Sequence, residues 1–130
     1  MKIKRLIPLL LLPLLLTACA CDKTPSNTYR QISMEEAAAI MEQESGYIIL
    51  DVRSPDEFSS GHIPNAINVP NENISTSEIV ELPNKNQLIL VYCRSGRRSK
   101  EAAQKLVDIG YTNIVEFGGI LDWTGETVSE

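Results

Sequence analysis

Residues 88–100 read LILVYCRSGRRSK. Five apolar residues come first, without alternation, and then a cysteine followed by a glycine set among three arginines and a lysine. An unbroken apolar run of this length suits a strand buried on both faces, as in a parallel sheet. Beyond the loop, Ala102, Ala103, Leu106, Val107 and Ile109 recur at helical spacing, and Gly110 supplies a stop. Cys93 therefore stands where a buried strand ends and a helix is about to begin.

The same alternation runs outward in both directions. "YIIL" (47–50) is a second short apolar run, "AINV" (66–69) reads as a short strand, and "NIVEF" (113–117) as a last strand before "GGILDW". "ISMEEAAAIMEQESG" places Ser33 three residues ahead of Glu36, the capping-box spacing, and predicts an amphipathic helix ending at Gly46. "SPDEF" reads as a helical turn with Ser54 as N-cap and Pro55 at its first position. "STSEIVELP" reads as a helix stopped by Pro83. Helices alternating with buried strands predict an α/β domain with a mainly parallel sheet. Asp51 follows "YIIL" and Cys93 follows "LILVY", so parallel strands bring both to one carboxyl edge, where open α/β folds hold ligands.

The loop has the chemistry of an anion cradle. Backbone N–H groups and the positive end of a helix favour negative charge. A free thiol titrates near ~8.5, and such settings depress it to roughly 3.5–7.5. Gly96 permits the tight curl, Ser95 and Ser99 add hydroxyls, and Arg94, Arg97 and Arg98 add charge that can fork onto an oxyanion. The competing reading is a buried core cysteine beside a solvated basic turn. The loop does not fit G-x-x-x-x-G-K-[ST], so it is not a nucleotide P-loop. No second cysteine makes C-x-x-C with Cys93, and His62 is the only histidine, which argues against a thioredoxin-type pair, a zinc ribbon or a histidine metal cluster.

The 130 residues allow one domain, and 43% hydrophobic content allows a packed core. Lys2, Lys4 and Arg5 precede the apolar stretch at 6–16. Set aside, they leave nine of the twelve cations against 17 acids, and four of those nine lie between Arg94 and Lys100. An acidic body argues against nucleic acid as a partner. The apolar stretch is too short to span a bilayer and has the layout of a signal peptide. "LTAC" at 16–19 resembles the lipobox of bacterial lipoproteins, which implies cleavage before Cys19 and lipidation of that residue. The expected organisation is a signal peptide at 1–18, a lipidated tether at 19–29 and a folded body at 30–130. The expected location is the cell envelope, anchored to a membrane through Cys19. Cys21 on the tether is a possible disulfide partner for Cys93.

"ILDVRSPDEFSSGHIPNAINVP" (49–70) resembles the first signature of rhodanese-type sulfurtransferases, "VYCRSGRRS" their catalytic loop and "GGILDW" their closing segment. The similarity runs from about Ser33 to about Gly125. It implies a rhodanese-like α/β fold, with a central, mostly parallel five-stranded sheet flanked by helices. It also implies that Cys93 takes a sulfane sulfur from a donor such as thiosulfate and passes it, as a persulfide, to cyanide or a thiol acceptor. Arg94, Ser95, Gly96, Arg97, Arg98 and Ser99 become the active-site loop, whose amides stabilise the charged sulfur, with Arg98 closing it. Asp51, Arg53 and His62 become supports of that loop, His62 being structural rather than a base. Phosphatase-like and arsenate-reducing relatives carry C-x5-R loops, and Ser99 stands where that arginine belongs. Asn65 replaces the usual glycine of the first signature and tolerates the left-handed backbone. Two other readings remain: a non-catalytic module on the same scaffold, and a thiol-dependent phosphatase or arsenate reductase. No cofactor or metal is implied. The expected partners are a small sulfur-bearing anion, a thiol acceptor and an envelope protein that reduces Cys93 or donates a persulfide.

Overall fold

The computed structural model describes residues 28–130. The signal peptide, Cys19, Cys21 and all of the tether except its last two residues lie outside that range. In chain order the elements are β1 (Arg30–Gln31), α1 (Met34–Gln43), β2 (Ile48–Asp51), α2 (Pro55–Ser60), β3 (Ile67–Asn68), β4 (Ile89–Cys93), α3 (Arg97–Asp108) and β5 (Ile114–Gly119). Short 3-10 turns at Asn71–Asn73 and Ile120–Asp122 complete the described chain. The five strands form one sheet in the order β1-β5-β4-β2-β3, and every pairing is parallel.

β4 lies at the centre, and all five of its residues are buried, as its unbroken apolar run requires. Alternation along the strands divides the core. Leu50, Val52, Val91 and Cys93 face one side with Ala102, Ala103 and Leu106 of α3. Ile49, Leu90, Tyr92 and Phe117 face the other with Ala37 of α1 and Phe58 of α2. α3 thus covers one face, and α1 and α2 cover the opposite one.

Local signals account for the helix ends. The Ser33 side chain accepts from Glu36 N–H at 3.1 Å, and Ser54 and Glu57 form a complete capping box with Pro55 in the first turn. α1 stops at Gln43 with Glu44 as its C-cap, earlier than the expected end at Gly46. At the end of α3, Gly110 takes a left-handed φ of 105° while its N–H bonds Val107 O and that of Tyr111 bonds Leu106 O.

Two expectations change. "STSEIVELP" is not a helix. It is a loop with one turn, closed by Leu82 N–H on Ile79 O at 3.0 Å. Ile74, Ile79 and Leu82 are buried in the α3-side core while Val80 is 87% exposed, so the segment is pinned at three points instead of laying down one face. It is too short to recover the cost of helix nucleation from its own hydrogen bonds. The second change is β1, two residues long and too short to carry a period. It exists because β5 offers an edge, with Arg30 opposite Val115 and Gln31 opposite Glu116.

The two faces are tied across the carboxyl edge. Arg98, in the first turn of α3, forks onto Glu57, in the first turn of α2, with Nη1–Oε1 at 2.8 Å and Nη2–Oε2 at 3.0 Å. The Arg98 hydrogen bonds, with smaller help from Ser54, hold the Glu57 carboxyl down at about 2. A carboxylate held below its unfolded value of 4.5 stabilises the fold above that pH, and its contribution fades as pH falls from there towards 2. Because the pair is partly solvated, Glu57→Gln should cost about 0.5–1 kcal/mol near neutrality in urea unfolding and nothing below pH ~2. An equal cost at both extremes would contradict this role for the pair.

Candidate active site

β4 ends at Cys93 and α3 begins at Arg97, so residues 94–96 make the whole turn. A turn this tight reverses through Gly96, whose φ of 108° is closed to most side chains. The curl points the Gly96 N–H back at Cys93 Sγ, at 3.0 Å. It also lays the loop directly on β5, because a Cβ at Gly119 would overlap the carbonyl of Arg94 and the Cα of Ser95.

Gly119 reaches that position through an irregularity in the ladder. Val91 pairs with Glu116, but Cys93 pairs with Gly119, so β5 carries one extra residue. Gly118 absorbs it with a φ of 98°, and Oε1 of Glu116 accepts the Gly118 N–H at 2.9 Å. A bulge beside a reactive side chain is a recurring way of re-aiming a strand.

Cys93 is 1% exposed and Ser99 is fully buried. The two meet with Sγ 3.4 Å from Ser99 Oγ, and Ser99 Oγ donates to Glu116 Oε1 at 2.6 Å. Cys93 lines neither of the two grooves described next. The groove beside residues 94–96, about 510 Å³, is lined by Arg53, Glu57, Arg94 and Leu121 among others. A larger groove of about 660 Å³ is lined by α1, Tyr47 and Trp123. It belongs to the face opposite Cys93, so its size does not mark the chemistry.

The arginines do not ring the sulfur. Arg97 pairs with Glu101 at 2.8 Å on the exposed side of α3, and Arg98 is taken up by Glu57. Arg98 still acts on Cys93 through space, but the Glu57 hydrogen bond is the main reason its guanidinium is held above its ordinary value. Each had a glutamate within reach of its long side chain, so Arg94, exposed beside the groove, is left as the loop's free-facing cation among the described residues. Of the amides from Arg94 to Ser99 expected around the sulfur, the one bonded to Sγ is that of Gly96.

Asp51 reaches the same carboxyl edge as Cys93, since it pairs with Tyr92 in register, but it points to the opposite face. It is fully buried and accepts the Arg53 N–H at 2.9 Å and Nη2 at 2.6 Å. Burial opposes the Arg53 charge, yet hydrogen bonding and attraction from Asp51 hold that guanidinium above its usual value. Arg53 also donates to Gly61 O at 2.7 Å. Burial, and then the Asp51 carboxylate, push the Tyr92 phenol well above its ordinary range, and its oxygen accepts the Ile63 N–H. This pair supports the 61–63 segment and the back of the sheet, and Arg53 shares the groove beside the cysteine loop with Arg94. His62 is structural too. It stacks on Phe58 with centroids 3.7 Å apart, donates from Nδ1 to Phe58 O and bridges to Val128, so it secures α2 and the C-terminal segment, not the loop. Asn65 takes a φ of 68°, as its place in the first signature suggested. Phe117 is core, whereas Trp123 is only half-buried and donates to Glu126 O.

Three residues escaped the sequence reading. Glu57 was only one residue of the helical turn read in "SPDEF", and Gly119 one of the "GGILDW" segment. Glu116 lay inside an apparently ordinary strand; a single acid between Val115 and Phe117 was the available signal. The seating of the loop on Gly119 is directly testable. Gly119→Ala should destabilise the chain by about 1–3 kcal/mol through overpacking and speed labelling of Cys93 by a small thiol reagent as the loop lifts. Unaltered labelling would show that the contact does not set the loop.

Comparison with known proteins agrees with this geometry. Residues 33–126 match the rhodanese-like domain family. The chain is 36% identical over 73 residues to the thiosulfate sulfurtransferase PspE of Escherichia coli, covering 56% of this chain and 70% of that protein. It is 32% identical to a sulfurtransferase of Allochromatium vinosum, over 72% of this chain and 86% of that one. Other relatives are longer, the chain spanning 26% of one and 60% of another. Among solved structures, a rhodanese with anions from Escherichia coli superposes with a TM-score of 0.59 at 33% identity, over 65% of this chain and 99% of that one. With a cysteine loop seated on a parallel sheet and a match across nearly all the described residues, the chain belongs to the rhodanese-like domain family.

Proposed function

We propose that this chain is a sulfurtransferase that carries sulfur on Cys93. The Cys93 thiolate attacks the outer sulfur of a donor such as thiosulfate. A new S–S bond forms, the donor's own S–S bond breaks, and sulfite leaves with the electron pair. The resulting persulfide then gives its outer sulfur to cyanide or a thiol, and Cys93 leaves as thiolate. Relatives named as thiosulfate sulfurtransferase and sulfurtransferase support a rhodanese-type reaction. The observation that carries the reading is the Gly96 N–H aimed at Sγ within a three-residue turn, because a fixed amide dipole stabilises charge there without reorganising. Arg94, beside the open groove, is the cation that meets an anionic donor first.

Ser99 favours this reaction over phosphate-ester hydrolysis or arsenate reduction. It occupies the place of the closing arginine in a longer loop, and its hydroxyl donates to Glu116 instead of supplying a guanidinium charge. The reading as a non-catalytic module would call for a scaffold without its sulfur, and Cys93 is present.

The same reading includes a lipid anchor at Cys19 and attachment to a membrane of the cell envelope. Its motivation is the "LTAC" sequence behind a basic, leucine-rich start. An envelope protein that reduces Cys93 or supplies persulfide would then be its partner, because a thiol there meets oxidants and a second cysteine, Cys21, in the same chain.

Incubation with thiosulfate should add one sulfur atom to the purified chain by intact mass, and Cys93→Ser should abolish the addition. An adduct that persists in that variant would refute Cys93 as carrier. In cells, Cys19→Ser should move the protein from the membrane to the soluble or secreted fraction, and unchanged fractionation would remove the anchor from the account.

A further inference from the structure

Glu116 is a buried acid for which the sulfur-transfer reading has no use. It is 3% exposed, lies between Val115 and Phe117 in β5, and takes part in none of the ion pairs among the described residues. A carboxylate taken out of water without a cation is costly. Its donors are the Gly118 N–H at 2.9 Å and the Ser99 hydroxyl at 2.6 Å, both on Oε1. The Gly118 contact ties the bulge. The Ser99 contact leads to the reactive sulfur, since Ser99 Oγ is 3.4 Å from Cys93 Sγ.

A serine hydroxyl has one hydrogen and two lone pairs. Gly96 O at 3.0 Å and Gly118 O at 3.4 Å also lie near Ser99 Oγ. The carboxylate contact is the shortest, and it falls within the ~2.5–2.7 Å range of charge-assisted O–H···O⁻ bonds. With that hydrogen committed to Glu116, Ser99 turns a lone pair towards Sγ and can only accept from it. An S–H satisfies this arrangement, whereas a thiolate would face both a lone pair and a nearby like charge.

We propose that Glu116, acting through Ser99, is a positioning residue that holds Cys93 in its thiol form. The inference deepens the reading of Cys93 as sulfur carrier and rests on it. Two groups pull the other way: the Gly96 N–H on Sγ and the charge of Arg98. Of the other charged groups around the loop, Glu57 is engaged with Arg98 across the edge, Arg97 with Glu101 on the exposed side of α3 and Asp51 with Arg53 on the opposite face, while Arg94 faces the groove. Ionisation then requires the S–H proton to leave for solvent and the Ser99 hydroxyl to swing its hydrogen from Glu116 to the sulfur. A sulfur kept as thiol between turnovers resists oxidation better than a thiolate, which suits a carrier working where oxidants are present.

The test is a pH titration of ultraviolet thiolate absorbance on the full chain, with the Cys93→Ser signal subtracted to remove the other cysteines and the tyrosines. Glu116→Gln keeps an oxygen for both Ser99 and Gly118 but removes the charge. It should lower the midpoint of the Cys93 signal by about one pH unit, a tenfold change. An unchanged or raised midpoint overturns the proposal and leaves Glu116 as a tie for the bulge. Ser99→Ala, which takes away the acceptor, should also lower the midpoint; a rise would mean that Ser99 donates to the thiolate, and the proposal fails. Neither measurement needs thiosulfate, so failure to load sulfur and failure of the midpoint to shift are read out separately.

Discussion

The contact on which the site depends is backbone against backbone. Residues 94 and 95 rest on Gly119 so closely that no side chain fits between them. That approach requires the extra residue in β5, which in turn requires Gly118 to accept a left-handed backbone. Once the loop is seated, the rest follows from covalent geometry. Gly96 reverses the chain, its N–H returns to Sγ, and the first turn of α3 brings Ser99 back beneath the sulfur. Glycine at 96, 118 and 119 is therefore one device spread over two elements, and neither Gly118 nor Gly119 could be explained from its own segment alone.

Charge is arranged less obviously than composition suggests. A chain with an acidic surplus gathers four cations behind one cysteine, yet two of the three arginines there are spent on glutamates. The Arg98–Glu57 pair does structural duty, joining helices that lie on opposite faces of the sheet across the edge where Cys93 emerges. Stabilisation of charge at the sulfur is left mainly to a peptide dipole, a donor that is fixed in place and cannot be drawn off by a neighbouring carboxylate. The buried acid on the far side of the sulfur, Glu116, opposes that stabilisation.

Local chemistry carried the sequence reading far. The unbroken run at 88–92 marked a strand buried on both faces, Ser54-Pro55 marked the start of α2, and the spacing of Ala102, Ala103 and Leu106 marked the inner face of α3. Parallel pairing then placed Asp51 and Cys93 at one edge, as expected. What failed did so for definable reasons. Two-residue β1 has no period to detect and exists only because β5 offers an edge. "STSEIVELP" has apolar residues at a helical spacing, but they are drawn to separate points of an existing core. Asp51 was placed at the right edge, but its face was not legible, because that depends on a register in which Asp51 pairs with Tyr92 rather than with Cys93.

The amino-acid sequence alone determined the alternation of helix and strand, the parallel sheet, the cysteine at its carboxyl edge and the glycine that turns the loop, because each is written in patterns a few residues long. Tertiary structure decided which cations stay free, which strand bulges, and which buried acid touches the chain of hydroxyl and sulfur. The Glu116–Ser99 and Arg98–Glu57 contacts join positions 17 and 41 residues apart in the chain, and nothing within either segment encodes the separation.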